Sequence, residues 1–253
     1  PAAGPAAGPA AAPFALASMR AAVRASGPPC QCQTFSAQWK APAKRGPACL
    51  FIDLGAADGE TYRAFMHQSS KWSFNYSTGP FQHEACYAYL MEANPKFNSP
   101  LEGFRSDRVY PMTTTAAYMC DKPKERFYLD VTGPGGWGSS LDDKHEAVSA
   151  KKQAVDVQLF NLMRLLHENA LPEDTVVVKM DIEGAEYDIL PCLADSPAAS
   201  LIDTLYLEDH CPGKWWCPTT GQAGNTKEAF NLALQKLRQK GVAIPDGYWS
   251  PML

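Results

Sequence analysis

Residues 51–62 read Phe51-Ile52-Asp53-Leu54-Gly55-Ala56-Ala57-Asp58-Gly59-Glu60-Thr61-Tyr62, an apolar run that breaks into a small-residue turn and then into residues suited to a helix. α/β sheets receive nucleotide-type ligands at such a strand–turn–helix. Backbone without bulky side chains approaches the ligand there, and amides at the helix start meet its polar atoms. A tight connection with no ligand would carry the same pattern. The glycine spacing matches neither the GxGxxG dinucleotide fingerprint nor the Gly-Lys-Ser/Thr of a phosphate loop, which counts against a nicotinamide-dependent oxidoreductase.

Outward from this stretch, apolar runs at 49–54, 86–91, 176–180 and 201–207 predict buried parallel strands. Between them, helices are expected over 59–69, 156–169, 184–193 and 226–240. Phe160, Leu162, Met163, Leu165 and Leu166 supply the buried face of the second of these, and Leu171-Pro172 ends it. The alternation of strand and helix predicts an α/β fold with a mainly parallel central sheet flanked by helices. Residues 113–119 and 126–131 alternate in the manner of an inserted antiparallel strand pair joined by a turn over 120–125. The glycine-rich stretch 133–140, which holds Trp137, is then either a binding lid or a solvated connector.

Two further stretches place polar groups at strand ends. In Tyr89-Leu90-Met91-Glu92-Ala93-Asn94-Pro95, Glu92 follows the second strand where α/β cofactor folds put a carboxylate that accepts both ribose hydroxyl protons; a helix-capping or solvated glutamate is the other reading. In 176–190, a buried strand runs into Lys179, Asp181, Glu183, Glu186 and Asp188 at the edge where open α/β sheets bind ligands. Charges at a buried edge are costly unless paired or used. Lys179 with Asp181 also reads as a plain ion pair, and Glu183 as a helix-dipole partner.

The chain has 253 residues, 45% of them hydrophobic, and carries 23 Lys plus Arg against 27 Asp plus Glu, a net charge of -4. Nothing in that balance condenses on nucleic acid or an anionic membrane, and no apolar run approaches a transmembrane span of roughly 20 residues. More than half of the first 48 residues are Ala, Pro or Gly, opening PAAGPAAGPAAAP, so 1–47 is read as an arm or linker, with a short helix over 14–24 as an alternative, and 48–253 as the catalytic-size domain. Beginning at Pro1, the chain is expected to derive from a longer precursor, which leaves room for a removed targeting peptide. Eight cysteines are too dilute for a disulfide scaffold, and neither Cys30-Gln-Cys32 nor Cys211 and Cys217 has the paired CxxC spacing of a zinc site. A Cys211–Cys217 bridge closing a short loop is favoured over metal, whereas Cys30 and Cys32 are left unassigned.

Taken together, FIDLGAADGETY, AYLMEANP, TTAAYM with RFYLD, GSSL, VKMDIEGAEYDIL and LIDTLYLEDH resemble, in order, the FkbM-type methyltransferases, over residues 48 to 245 or so. The resemblance implies a Rossmann-like class I fold and S-adenosylmethionine as cofactor. It further implies methylation of a hydroxyl on a glycan or small metabolite. It puts Asp53, Gly55, Ala57 and Gly59 in the cofactor loop and Glu92 at the ribose. Asp181 and Glu183 would lie by the methionine moiety and the acceptor, with Glu208 and His210 at the end of the next strand. Ala57 stands where the family usually has Asn, and 157–161 reads VQLFN where it usually has an Asp.

Methyl transfer to a neutral hydroxyl requires alignment, exclusion of water and removal of a proton, and Asp181, Glu183 or His210 is expected to take that proton. A loop histidine beside Cys211-Pro212 with no such role is equally compatible with the sequence at His210. Trp137, Trp215 and Trp216 sit outside periodic core positions and either form an acceptor pocket or dock a partner protein. The rival reading is a catalytically inactive methyltransferase-like domain, held by its arm and tryptophans as a structural subunit of a larger assembly.

Overall fold

β1 (Cys49–Leu54) is buried along its whole length, and its pleat sends Leu50, Ile52 and Leu54 into one apolar cluster and Cys49 and Phe51 into the other. A strand with two buried faces belongs at the centre of a covered parallel sheet. The computed structural model describes residues 30–68, 76–133, 135–210 and 225–245. After β1 come α1 (Glu60–Phe65), β2 (Tyr87–Glu92), α2 (Asn98–Glu102), β3 (Val109–Thr113), β4 (Thr115–Tyr118) and β5 (Lys122–Tyr128). The order continues with α3 (Glu146–Ser149), β6 (Ala154–Asn161), α4 (Leu162–Asn169), β7 (Thr175–Met180), α5 (Glu186–Asp195), β8 (Thr204–Leu207) and α6 (Lys227–Gln239).

The main sheet has the order β3-β2-β1-β7-β8, with every pairing parallel. The chain leaves β1 toward β2 on one side and later returns to β7 on the other, so a topological switch point lies between β1 and β7. The crevice outside the carboxyl ends of these strands is where such sheets take ligands. This is the α/β, Rossmann-like architecture expected from the sequence.

Two details differ from the sequence reading. Residues 156–161 are not helix: they complete β6, in which Val157 and Leu159 are buried while Asp156 and Gln158 are exposed, a period of two. The helix starts only at Leu162, where the Asn161 side chain accepts a 2.9 Å bond from the Met163 amide and caps it. Nor do the two inserted strands pair with each other. β6 lies between them, parallel to β4 and antiparallel to β5, because it offers a full edge to each.

Residues 30–47 run along the domain. Cys30 pairs with Cys120 and Cys32 with Cys192, at Cα separations of 5.9 and 5.5 Å, and Cys49 at the start of β1 pairs with Cys86 just before β2 at 4.5 Å. Gln33 and Thr34 are held by backbone and side-chain bonds to Met119, Asn161 and Ser196, and Arg45 meets the buried Asp174 carboxylate at 2.6 Å. The expected helix over 14–24, the Cys211–Cys217 bridge and the Trp215-Trp216 loop lie outside the described residues. Among the described residues, no helix is long and apolar enough to cross a membrane.

Candidate functional site

The turn after β1 is shaped by a close crossing. Gly55 has φ +78°, and a side-chain carbon on it would lie 1.8 Å from the carbonyl oxygen of Asp181, where the chain leaves β7. Only glycine permits both the conformation and the approach. Its amide and that of Ala56 both donate to the Met91 carbonyl at 3.0 Å, so the exits of β1, β2 and β7 are drawn together. A cavity of about 320 Å³ opens at this junction, within the roughly 300–1,000 Å³ range of small-molecule sites.

One wall is Glu92, at the end of β2. The Ala57 amide donates to its Oε2 at 2.8 Å and the Asn94 amide to its Oε1 at 2.6 Å, fixing the carboxylate at the cavity edge. Burial pushes its pKa up to about 7, against the pull of those two amides. Asn94 then reaches across: its Nδ2 donates to the Gly136 carbonyl at 3.1 Å and to Ser139 Oγ at 3.2 Å, while Lys96 Nζ donates to the Gly135 carbonyl at 2.9 Å. These bonds tie the glycine-rich stretch to the site. Trp137, 65% exposed, lines the cavity from that stretch.

A second part of the lining holds charge. Lys179, almost fully buried, donates to the Gly55 carbonyl at 2.8 Å and stands 3.3 Å from Asp53 Oδ1 and 3.4 Å from Asp181 Oδ2. Burial opposes its charge, but Asp181 and Asp53 hold its pKa above the ordinary lysine value; burial pushes Asp53 up, against the pull of Lys179. Glu186, fully buried at the start of α5, accepts from the amides of Ile182 and Gly184 at 2.7 Å each and lies 3.0 Å from His210 Nδ1. His210 Nε2 faces Asp181 Oδ1 at 3.4 Å, Glu183 Oε1 at 3.5 Å and Glu208 Oε2 at 3.7 Å, and His145 Nε2 meets Glu183 Oε2 at 3.3 Å. Burial disfavours the imidazolium of His210, yet Glu186 and Glu183 override it and push the pKa up to about 12. Burial likewise works against the Glu183 carboxylate, but bonds from His145 and His210 bring it down to about 2. Burial and the neighbouring Asp181 push Glu208 up to about 8.

Of the residues singled out in the sequence, Gly55, Ala57, Glu92, Asp181 and Glu183 line this one cavity, with His210 in contact behind the last two. Asp53 does not line it; it lies beneath and holds Lys179. Gly59 is also off the wall, where its lack of a side chain makes room for the Phe104 ring. His145 and the anchoring roles of Asn94 and Lys96 had no signal in the sequence, since each reaches its partner across 38 or more positions of chain. The role of Glu186 was visible only as one more acidic residue after the strand.

A family model for the methyltransferase FkbM domain matches residues 53–241, most of the chain. Comparison with curated proteins and with solved structures gives no match.

Proposed function

The chain belongs to the methyltransferase FkbM domain family, and from that premise we propose that it transfers the methyl group of S-adenosylmethionine to a hydroxyl oxygen of a glycan or small metabolite. When bound, that cofactor supplies an electrophilic methyl group on a cationic sulfur. The observation that carries this reading is that the amide-held Glu92 carboxylate and the Asp181/Glu183 carboxylates line a single cavity. The first suits a ribose diol and the second a positive charge.

In this reading Gly55 lets backbone approach the cofactor, and Glu92 accepts its ribose hydroxyls. Asp181 and Glu183 stabilise the cationic end and face the acceptor. Asp181 or Glu183 takes the hydroxyl proton as the oxygen attacks the methyl carbon and the carbon–sulfur bond breaks, while His210, held protonated by Glu186 and Glu183, pairs with them and takes no proton itself. Trp137 offers a ring face at the mouth for a sugar or planar acceptor.

Glu92 gives the reading a pH signature. Its carboxyl is raised to about 7, so it is protonated at pH 6 and ionised at pH 8. For stability, a raised carboxyl favours the fold most below the unfolded value of roughly 4.5, and this contribution is lost as pH rises through about 7. Cofactor affinity runs the other way, because an ionised acceptor bonds hydroxyls more strongly. The dissociation constant of S-adenosylmethionine, measured by calorimetry, is expected to fall between pH 6 and pH 8. In Glu92→Gln it is expected to be about 10- to 150-fold weaker at pH 8 and nearly flat with pH, a hydrogen bond to a charged group contributing about 1.5–3 kcal/mol. A variant that binds like the wild type at both pH values would remove Glu92 from the site.

A further inference from the structure

The cluster behind the cavity has more than a proton acceptor requires. Asp181, Glu183 and His210 each place one ligand atom within 4.8 Å of the others. We propose that these residues, with Glu208 as a fourth, bind one divalent first-row transition ion of the Mn²⁺ or Zn²⁺ kind.

The distances are those of atoms around a shared centre. From His210 Nε2, the three carboxylate oxygens lie at 3.4, 3.5 and 3.7 Å. The Nε2 proton, bonded to Glu183, serves one oxygen at a time, so three oxygens converge where one acceptor would do, and an ion bound among them takes the place of that proton. Ligands held about 2.0–2.2 Å from a common ion sit about 2.8–3.6 Å from each other at octahedral to tetrahedral angles, a range that takes in Asp181 and Glu183 and that Glu208, at 3.7 Å, just exceeds. The imidazole itself is 7% exposed, so this nitrogen is turned into the cluster and not toward open solvent.

Three of the four proposed ligands are also held from behind. Glu186 Oε1, 3.0 Å from His210 Nδ1, accepts that nitrogen's proton and leaves Nε2 as the atom facing the carboxylates. Asp181 turns Oδ2 to Lys179 and Oδ1 to the cluster; Glu183 turns Oε2 to His145 and Oε1 to the cluster. One oxygen of each carboxylate is thus engaged by a cationic or imidazole partner while the other converges on His210. Outer partners of this kind orient metal ligands. One imidazole with three carboxylates suits Mn²⁺ or Zn²⁺ better than Mg²⁺, which takes oxygen ligands and keeps its waters. Asp181 and Glu183 also line the cavity, so the ion stands in its wall. There it would make an acceptor hydroxyl more acidic, a use that rests on the methyl-transfer reading, whereas the site itself rests on the cluster alone.

The test is calorimetric titration of the chelator-stripped, dialysed protein with MnCl₂ and with ZnCl₂, without cofactor. One ion per chain is expected, with at least 10-fold weaker binding in His210→Ala and in the near-isosteric Asp181→Asn, each checked for folding by circular dichroism. Should His210→Ala fail to fold, Asp181→Asn decides. Absence of stoichiometric uptake of either ion, or wild-type affinity in the folded variants, overturns the site. S-adenosylmethionine affinity measured on the same stripped protein separates the two ideas. Cofactor binding without ion uptake sinks the ion site alone, and ion uptake without cofactor binding sinks the methyl-transfer reading alone.

Discussion

Asp181→Asn, Glu183→Gln and His210→Asn are each expected to leave the fold intact, and the variant that removes the base lowers methyl transfer by about 10²- to 10⁴-fold. The size follows from the chemistry: a neutral hydroxyl is a poor nucleophile, and losing the group that takes its proton raises the barrier by about 3–5 kcal/mol. Asp181 and Glu183 line the cavity, within reach of a hydroxyl bound there, and His210 pairs with both from behind. The check is single-turnover transfer of isotopically labelled methyl to an accepted hydroxyl compound, run beside cofactor affinity. A loss in rate with the cofactor dissociation constant held within a few-fold marks a role in the chemical step. Near wild-type rates in all three variants would remove the cluster from the mechanism.

Breaking the Cys32–Cys192 disulfide is expected to destabilise the protein by about 4–5 kcal/mol, the loop-closure value for so long a loop. The two cysteines lie 160 positions apart and fasten the segment after residue 29 to α5, the helix that begins at Glu186 and supports the charged cluster. At this chain length the effect corresponds to a fall in Tm of about 10–20 °C. Thermal unfolding of the Cys32→Ser/Cys192→Ser variant against the wild type, with and without reductant, reads it directly. An unchanged Tm would mean that the bond constrains little. Bonds of this kind persist in oxidising compartments, so the three together lead us to expect that the chain folds in one.

The central sheet was legible because its strands are buried on both faces and therefore read as unbroken apolar runs; β1 was found to the residue. β6 was misread for a specific reason. Phe160, Leu162, Met163, Leu165 and Leu166 form a convincing helical stripe, and it drew the boundary back to Asp156, across Val157 and Leu159, whose spacing of two is that of a strand. Only pairing with β4 and β5 shows where the period changes, at Asn161. The cysteine connectivity was not deducible, since eight cysteines allow 105 pairings and two of the bonds found join segments 90 and 160 positions apart. In the site, Glu92 and the Asp181/Glu183 pair stood out as acids placed directly after apolar strands. His145 did not, because it comes from a loop with no periodic context and meets Glu183 only in three dimensions.

Thermal shift of the purified protein with S-adenosylmethionine and S-adenosylhomocysteine, with NADH as control, tests the central claim most directly. At about 100 times its dissociation constant, a ligand of the native state adds about 2.7 kcal/mol, or roughly 5–10 °C at this size. A shift with both sulfur compounds and none with NADH is the predicted result. A folded sample that none of the three shifts would contradict it and favour a structural subunit that keeps the methyltransferase fold without its cofactor.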